Sequence, residues 1–487
     1  MTHHTNDAPL MLGVSGCRGI VGASLTHDVA ARYAGAFAGW LRESLGEHLA
    51  GRRPRVVLAR DGRAGCQMIH AAALAGLTSA GCDVIDLGVA MTPTAGVLTD
   101  ARNADAAMIL TASHNPQEWN GLKALVRSAA LSDPLAIDAC APDATTASKI
   151  VERFQRNAPK LDAVAWDRIG TIAIDQTATD THVETVIRAL DEIGLAVTTK
   201  DRHYRVVVDS VNGSGAPGAL ALLERLGCSE IIQLHGEPTG IFPHTPEPTR
   251  ENLTGLAAAT AERHAIVGFA QDPDADRLAI IDADGAYIGE EYTLVLGALA
   301  VLGSMGEDAK GAVICTNLST SRMIDDVAAK YGARVVRTAV GEANVVAAMK
   351  QHRAVMGGEG NGGVIWPRVT YVRDSLAAMA LTLGLLASED RSLAAIVADV
   401  PRYAIEKRKV DLASKEAARP AIEKIAKAYA SASIDLQDGV RVDWVDRRAW
   451  LHVRASNTEP IMRLIAEAPS ESEARAILDD AARVIAR

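Results

Sequence analysis

Short apolar runs of strand type alternate along the chain with longer Ala/Leu-rich stretches of helical period. Residues 55–59 (RVVLA) end at a polar turn, 64–80 carry a helical pattern, and 83–87 (DVIDL) form the next run. The same order recurs at 205–209 (RVVVD) with 216–226, and at 311–315 (GAVIC) with 321–331 and 334–338. This β-α-β grammar predicts an α/β protein, with similar domains in series built on mixed, mostly parallel sheets. The last part differs. Residues 441–444, 449–454 and 462–466 read as strands and 471–485 as a helix, with 428–438 a turn-rich connection, which predicts a smaller C-terminal α+β domain. The expected domains are 1–170, 171–287, 288–400 and 401–487. No short-period repeat of a solenoid is present.

Composition narrows the class. Among 487 residues, 50 Lys+Arg face 60 Asp+Glu, for a net charge of −10. A broadly acidic chain is a poor general nucleic-acid binder, because replacing phosphate counterions needs basic surface. Hydrophobic content of 48% argues against disorder. The most apolar stretches, 294–302 and 376–387, fall short of the roughly 20 residues of a membrane span and read as buried helices. The polar start, residues 1–7, shows no export signal. The six cysteines are scattered without a CxxC pair, as expected of reduced thiols. Together these features predict a cytoplasmic protein without nucleic-acid or membrane partners; oligomeric state is not legible.

Four loops carry candidate chemistry. Thr111-Ala-Ser-His-Asn-Pro116 follows the apolar run 106–110, placing it at a strand's C-terminal end, where open α/β sheets put their sites. Ser113 is a hydroxyl able to carry a transferable group, although Ser-His also suits an Asx-type turn. Asp272-Pro-Asp-Ala-Asp-Arg277 sets three carboxylates at alternate positions, a set of hard oxygen ligands suited to Mg²⁺, or else a solvated acidic turn. It lacks the glycine and distal glutamate of a calcium EF-hand. Gly357-Gly-Glu-Gly-Asn-Gly-Gly363 lets backbone approach a ligand closely and offers Glu359 and Asn361 to sugar hydroxyls, unless it is only a tight turn. In Arg454-Ala-Ser-Asn-Thr-Glu-Pro460, a guanidinium, hydroxyls and an amide could enclose a phosphate, or form a hairpin turn. Weaker signals are Ser15-Gly-Cys-Arg-Gly19, Arg60-Asp-Gly-Arg63, Lys123 and Val340-Gly-Glu342, each a surface loop or structural ion pair by default.

With these loops in this order, one per expected domain, the chain resembles the α-D-phosphohexomutase superfamily over nearly its whole length. The resemblance implies three related α/β domains and a smaller fourth around a central cleft. It implies that Ser113 is the phosphorylated serine, and that its phosphate oxygen with Asp272, Asp274 and Asp276 binds Mg²⁺. His114 and Lys123 match residues assisting proton movement and charge stabilisation, and Arg18 and Arg277 match family arginines. Glu359 and Asn361 match sugar contacts, and Arg454, Ser456, Asn457 and Thr458 the grip on the phosphate that stays. The sugar loop departs from the common bacterial Gly-Glu-x-Ser-Gly-His. Asn361 stands for the serine and Gly363 for the histidine, a glycine-rich form similar to archaeal-type members often assigned to phosphoglucosamine. The acids of the metal loop are separated by Pro273 and Ala275, where glycines are frequent.

The implied activity moves a phosphoryl group between O6 and O1 of a hexose phosphate, through phosphoserine and a 1,6-bisphosphate that also serves as activator. Phosphoglucosamine mutase is the expected specificity, with phosphomannomutase/phosphoglucomutase as the alternative. From other classes, a serine-dependent sugar phosphatase would have no use for a second phosphate grip, and a sugar-phosphate sensor no use for an intact serine and metal triad.

Overall fold

A computed structural model describes residues 9–128, 136–156, 163–195, 203–455 and 461–486. By internal contacts the chain divides into two compact units, one of residues 1–305 and 362–395, the other of 306–361 and 396–487.

The first unit holds two sheets. Seven strands lie in the order Met11–Gly13, Gly16–Ile20, Trp119–Val126, Ala106–Leu110, Arg55–Arg60, Asp83–Val89 and Ile172–Ile174. The last four are mutually parallel, and the first three join antiparallel. Ala106–Leu110 is buried at every position, which explains its unbroken apolar run: a central strand covered on both faces needs no polar side. Gly16 permits the tight pairing of the second strand, since a Cβ there would lie 1.9 Å from the Leu122 carbonyl oxygen and its φ is +90°. The second sheet runs Leu278–Asp282, Val267–Gln271, Arg205–Asp209 and Glu230–Leu234, parallel except for the hairpin of its first two strands.

Helix His27–Leu45 shows why helices start and stop where they do. Thr26 caps it by accepting from the Val29 N–H, and Gly46 ends it. Glu291–Met305 and Ser375–Glu389 are apolar almost all round because they are buried almost all round, as their composition predicts. Among the described residues no helix is long and apolar enough to cross a membrane.

The second unit holds the parallel strands Arg334–Thr338, Val313–Asn317 and Met356–Glu359. It also holds an antiparallel five-stranded sheet in the order Ala404–Asp411, Ile461–Ala468, Ala449–Ala455, Val440–Trp444 and Ser433–Asp435. Strand periodicity divides Ala449–Ala455. Leu451 and Val453 join the apolar core with Ile425, Ile477 and Leu478, whereas Trp450, His452 and Arg454 point to the other face. The segment 428–438, expected as a connection, contributes the short edge strand Ser433–Asp435, which its single apolar Ile434 hardly announces.

Candidate active site

Ser113 sits three residues past strand Ala106–Leu110, buried, with φ at +51°. Serine rarely adopts this left-handed conformation, and here the surroundings enforce it. The Ser113 N–H donates to Thr111 Oγ1 at 2.8 Å, and its carbonyl accepts from Arg63 Nη2 at 2.5 Å. Arg63 is itself locked to Asp61 at 2.8 Å, with both side chains fully buried. The Arg60-Asp-Gly-Arg63 signal is thus an ion pair that holds the serine loop.

Asp272, Asp274 and Asp276 leave strand Val267–Gln271 and are completely buried. Ser113 Oγ donates to Asp272 Oδ2 at 2.9 Å, and Asp272 Oδ1 accepts from the Arg277 N–H. Thr92 Oγ1 donates to Asp274 Oδ2 at 2.6 Å. Lys123 Nζ and Arg373 Nη2 reach Asp276 Oδ2 at 3.3 and 2.6 Å. Asp274 Oδ1 and Asp276 Oδ1 are buried and accept no hydrogen bond from a described residue. One oxygen from each of the three acids lies within 4.8 Å of the others. Buried carboxylate oxygens without donors are costly unless something positive lies among them, and a hard divalent cation fits that donor set.

The electrostatics agree. Burial, together with repulsion from the other two acids, holds Asp272 well above the usual carboxylate range. Asp274 is raised by burial and by Asp276. Asp276 goes the other way, because Arg373, Lys123 and Arg277 outweigh its burial. His114 Nδ1 is 3.3 Å from Ser113 Oγ, and burial with the nearby Arg277, Arg18 and Arg373 brings its imidazole down to about 3, leaving it neutral at pH 7. Arg18 and Arg277 each keep a buried Nε that donates to no described residue. The first unit therefore gathers Arg18, Ser113, His114, Lys123, the three aspartates and Arg277 from widely separated segments. Arg373 and Thr92 were missed as members, whereas Arg63, singled out as a loop or a structural ion pair, is the latter. The available signals were Arg373 just before the capping Asp374 of a buried helix, and Thr92-Pro93 opening another.

In the second unit Glu359 ends strand Met356–Glu359 and accepts from Asn317 Nδ2 at 2.9 Å. Asn361 Oδ1 is buried without a hydrogen bond from a described residue, and the Gly360 N–H donates to Thr320 Oγ1. Arg454 Nε pairs with Asp438 Oδ2 at 3.2 Å, and the same oxygen accepts from the Val340 N–H. A relay joins these positions. Asn317 Oδ1 accepts from the Ser319 N–H, Ser319 Oγ meets His452 Nδ1 at 2.8 Å, and His452 Nε2 meets the Asp438 carbonyl at 2.7 Å. The carbonyl can only accept, which assigns the proton to Nε2 and makes Nδ1 the acceptor of the serine hydroxyl. Burial brings His452 down to about 4, consistent with a neutral ring. Ser456, Asn457 and Thr458 lie outside the described residues.

Comparison with known proteins decides the family. The chain matches the four parts of the phosphoglucomutase/phosphomannomutase family: alpha/beta/alpha domain I over 9–144, domain II over 181–285, domain III over 290–403 and the C-terminal domain over 407–484. It is 36% identical over 479 residues to a probable phosphoglucosamine mutase of Methanopyrus kandleri, covering 98% of this chain and 97% of that one. The chain belongs to the α-D-phosphohexomutase superfamily. A phosphoglucomutase/phosphomannomutase of Thermococcus kodakarensis is 34% identical, covering 96% of this chain and 97% of that one. The crystal structure of a phosphoglucomutase/phosphomannomutase family protein from Burkholderia thailandensis superposes with a TM-score of 0.80 at 27% identity, covering 98% of both chains. Membership makes this chain a phosphohexomutase, an isomerase by class, and bears out the expected fold class and resemblance.

Proposed function

We propose that this phosphohexomutase works through a phosphoserine at Ser113, with glucosamine phosphate as the preferred sugar. The observation that carries the mechanism is the buried Ser113 hydroxyl bonded to Asp272 beside two donor-less carboxylate oxygens. Asp272, Asp274, Asp276 and an oxygen on Ser113 would hold Mg²⁺, which when bound offsets charge on the transferred phosphoryl group.

Ser113 Oγ gives up its phosphoryl group: its bond to phosphorus breaks as one forms to the free hydroxyl of a hexose monophosphate. That hydroxyl loses its proton; the imidazole of His114, next to Ser113 Oγ, would take it and return it to the departing serine oxygen, the phosphate charge opposing the cations that lower its basicity. The resulting 1,6-bisphosphate returns its other phosphate to Ser113, leaving the isomeric monophosphate. Arg18, Arg277 and Lys123 stabilise phosphate charge, and Arg373 holds Asp276 in place. Glu359 and Asn361 bind sugar hydroxyls, while Arg454 with Ser456, Asn457 and Thr458 grips the phosphate that stays. The sugar preference is supported by the glycine-rich 357–363 loop and by the name borne by the Methanopyrus kandleri relative. A protein acting on phosphomannose and phosphoglucose is the second reading, favoured by the Thermococcus kodakarensis relative's name.

Assays with glucosamine, mannose and glucose 6-phosphates, side by side with Mg²⁺ and a bisphosphate activator, test this. The highest kcat/KM is expected with glucosamine 6-phosphate and negligible release of inorganic phosphate. A preference for mannose or glucose phosphate by tenfold or more would reverse the sugar assignment, about 1.4 kcal/mol in transition-state binding.

A further inference from the structure

A second cluster of ligand-type side chains lies in the first unit, built from segments other than those of the phosphoserine centre. Asp209 is the last residue of strand Arg205–Asp209, and His235 follows the adjacent parallel strand Glu230–Leu234, whose final residue pairs with Asp209. The chain then loops out and brings His244 back to the same carboxylate. Asp209 Oδ2 lies 3.0 Å from His235 Nδ1 and 3.1 Å from His244 Nε2, and all three atoms fall within 4.8 Å of one another.

We infer that Asp209, His235 and His244 form a binding site for a Zn²⁺-like divalent transition metal. Two imidazole nitrogens and one carboxylate oxygen are a donor set for zinc, whereas magnesium prefers oxygen alone. With metal–ligand bonds of about 2.0–2.1 Å, tetrahedral ligands stand about 3.3 Å apart, so small shifts from the observed spacing admit the ion. In two of the three residues the outer atoms are already fixed as ligation requires. Asp209 Oδ1 accepts from the Val211 N–H at 2.9 Å, which leaves Oδ2 for the metal. His244 Nδ1 faces the Thr245 carbonyl at 2.9 Å, which directs Nε2 inward. The ion would displace the imidazole protons now directed at Asp209. His235, 38% exposed in its side chain, leaves a path for the ion and for water as a fourth ligand.

The site would close both ends of the loop from His235 to His244. That loop docks on the serine loop: the Gly240 carbonyl accepts from Gln117 Nε2 at 2.6 Å, and the Phe242 N–H donates to Gln117 Oε1 at 2.8 Å. The Phe242 ring also lies under Arg63, 5.1 Å from ring centroid to guanidinium carbon. Gly240, with φ at +68°, fits so closely that a Cβ would stand 2.0 Å from the Gly62 carbonyl oxygen. A bound ion would therefore brace the support of Ser113 without touching it.

The test uses full-length protein stripped with chelator, returned to saturating Mg²⁺, and titrated with Zn²⁺ against a chromophoric competitor. One equivalent is expected to bind in the wild type and in Asp274→Asn, with affinity lower by about tenfold or more in His235→Gln and His244→Gln. Zn²⁺ should also raise the unfolding temperature of the wild type but not of His235→Gln, whose half-exposed position spares the fold. No Zn²⁺ uptake by the wild type in Mg²⁺, or equal affinity in His235→Gln, would overturn the site.

Discussion

The two units solve different problems with polar side chains. In the first, charges are packed at close quarters. Three buried carboxylates face Lys123, Arg373, Arg277 and Arg18, and the raised Asp272 and Asp274 beside the lowered Asp276 record how unequal their surroundings are. In the second, Glu359 and Arg454 are joined by Asn317, Ser319, neutral His452 and the Asp438 backbone. Stored charge suits a site where charge develops during reaction. A relay through neutral groups suits a surface that must hold a ligand without committing to one arrangement. In this account the first unit makes and breaks bonds, and the second orients.

The sharpest way to break that division is to remove the nucleophile. Ser113→Ala should lower kcat by about 10⁶-fold with the fold retained, as deletions of covalent nucleophiles do. Substantial turnover in a steady-state assay would move the chemistry elsewhere. Next is the metal. Asp274→Asn removes a donor-less oxygen from the triad and should cost several kcal/mol of transition-state stabilisation, about 10²–10³-fold in kcat. Excess Mg²⁺ should restore part of it, and an unchanged Mg²⁺ dependence would count against the triad.

On the other side, Arg454→Ala should raise KM by about 10–100-fold, the worth of one charge-assisted contact, while leaving phosphorylation of Ser113 intact. A loss confined to kcat would place Arg454 among the chemical residues instead. The smallest effect concerns His452. Its ring is neutral in the folded protein and titrates near 6.5 when exposed, so the unfolded chain binds the extra proton as pH falls below about 6.5. Stability of the second unit should therefore decline from pH 6.5 towards 4, and ring carbons observed by NMR with labelled histidine should show no protonation of His452 at pH 5.5. An ordinary titration midpoint would remove the relay's neutral link.

Much of this is legible in the sequence alone. The apolar runs 106–110 and 265–269 signal buried strands, observed at Ala106–Leu110 and Val267–Gln271, and the loops after them carry Ser113 and Asp272. Local spacing announced the aspartates because all three lie within five residues. Arg373 and Thr92 were not legible, since their role exists only where distant segments meet Asp276 and Asp274. His452 was equally hidden, because alternation shows which face of Ala449–Ala455 it shares with Arg454 but not what lies opposite. The left-handed φ of Ser113 was only partly readable: the hydrogen bond to Thr111 is local, but Arg63, which holds the Ser113 carbonyl, comes from another loop. The net charge of −10 said nothing about phosphate binding for a related reason: the cations that matter are few and gathered by the fold.

The most direct test of the central claim is the mass and site of phosphorylation after the protein meets hexose 1,6-bisphosphate and Mg²⁺. The account predicts one added phosphoryl group, mapped to Ser113 and discharged by hexose monophosphate at a rate no slower than kcat. A phosphoryl group on another residue, or one on Ser113 that discharges far more slowly than turnover, would contradict it.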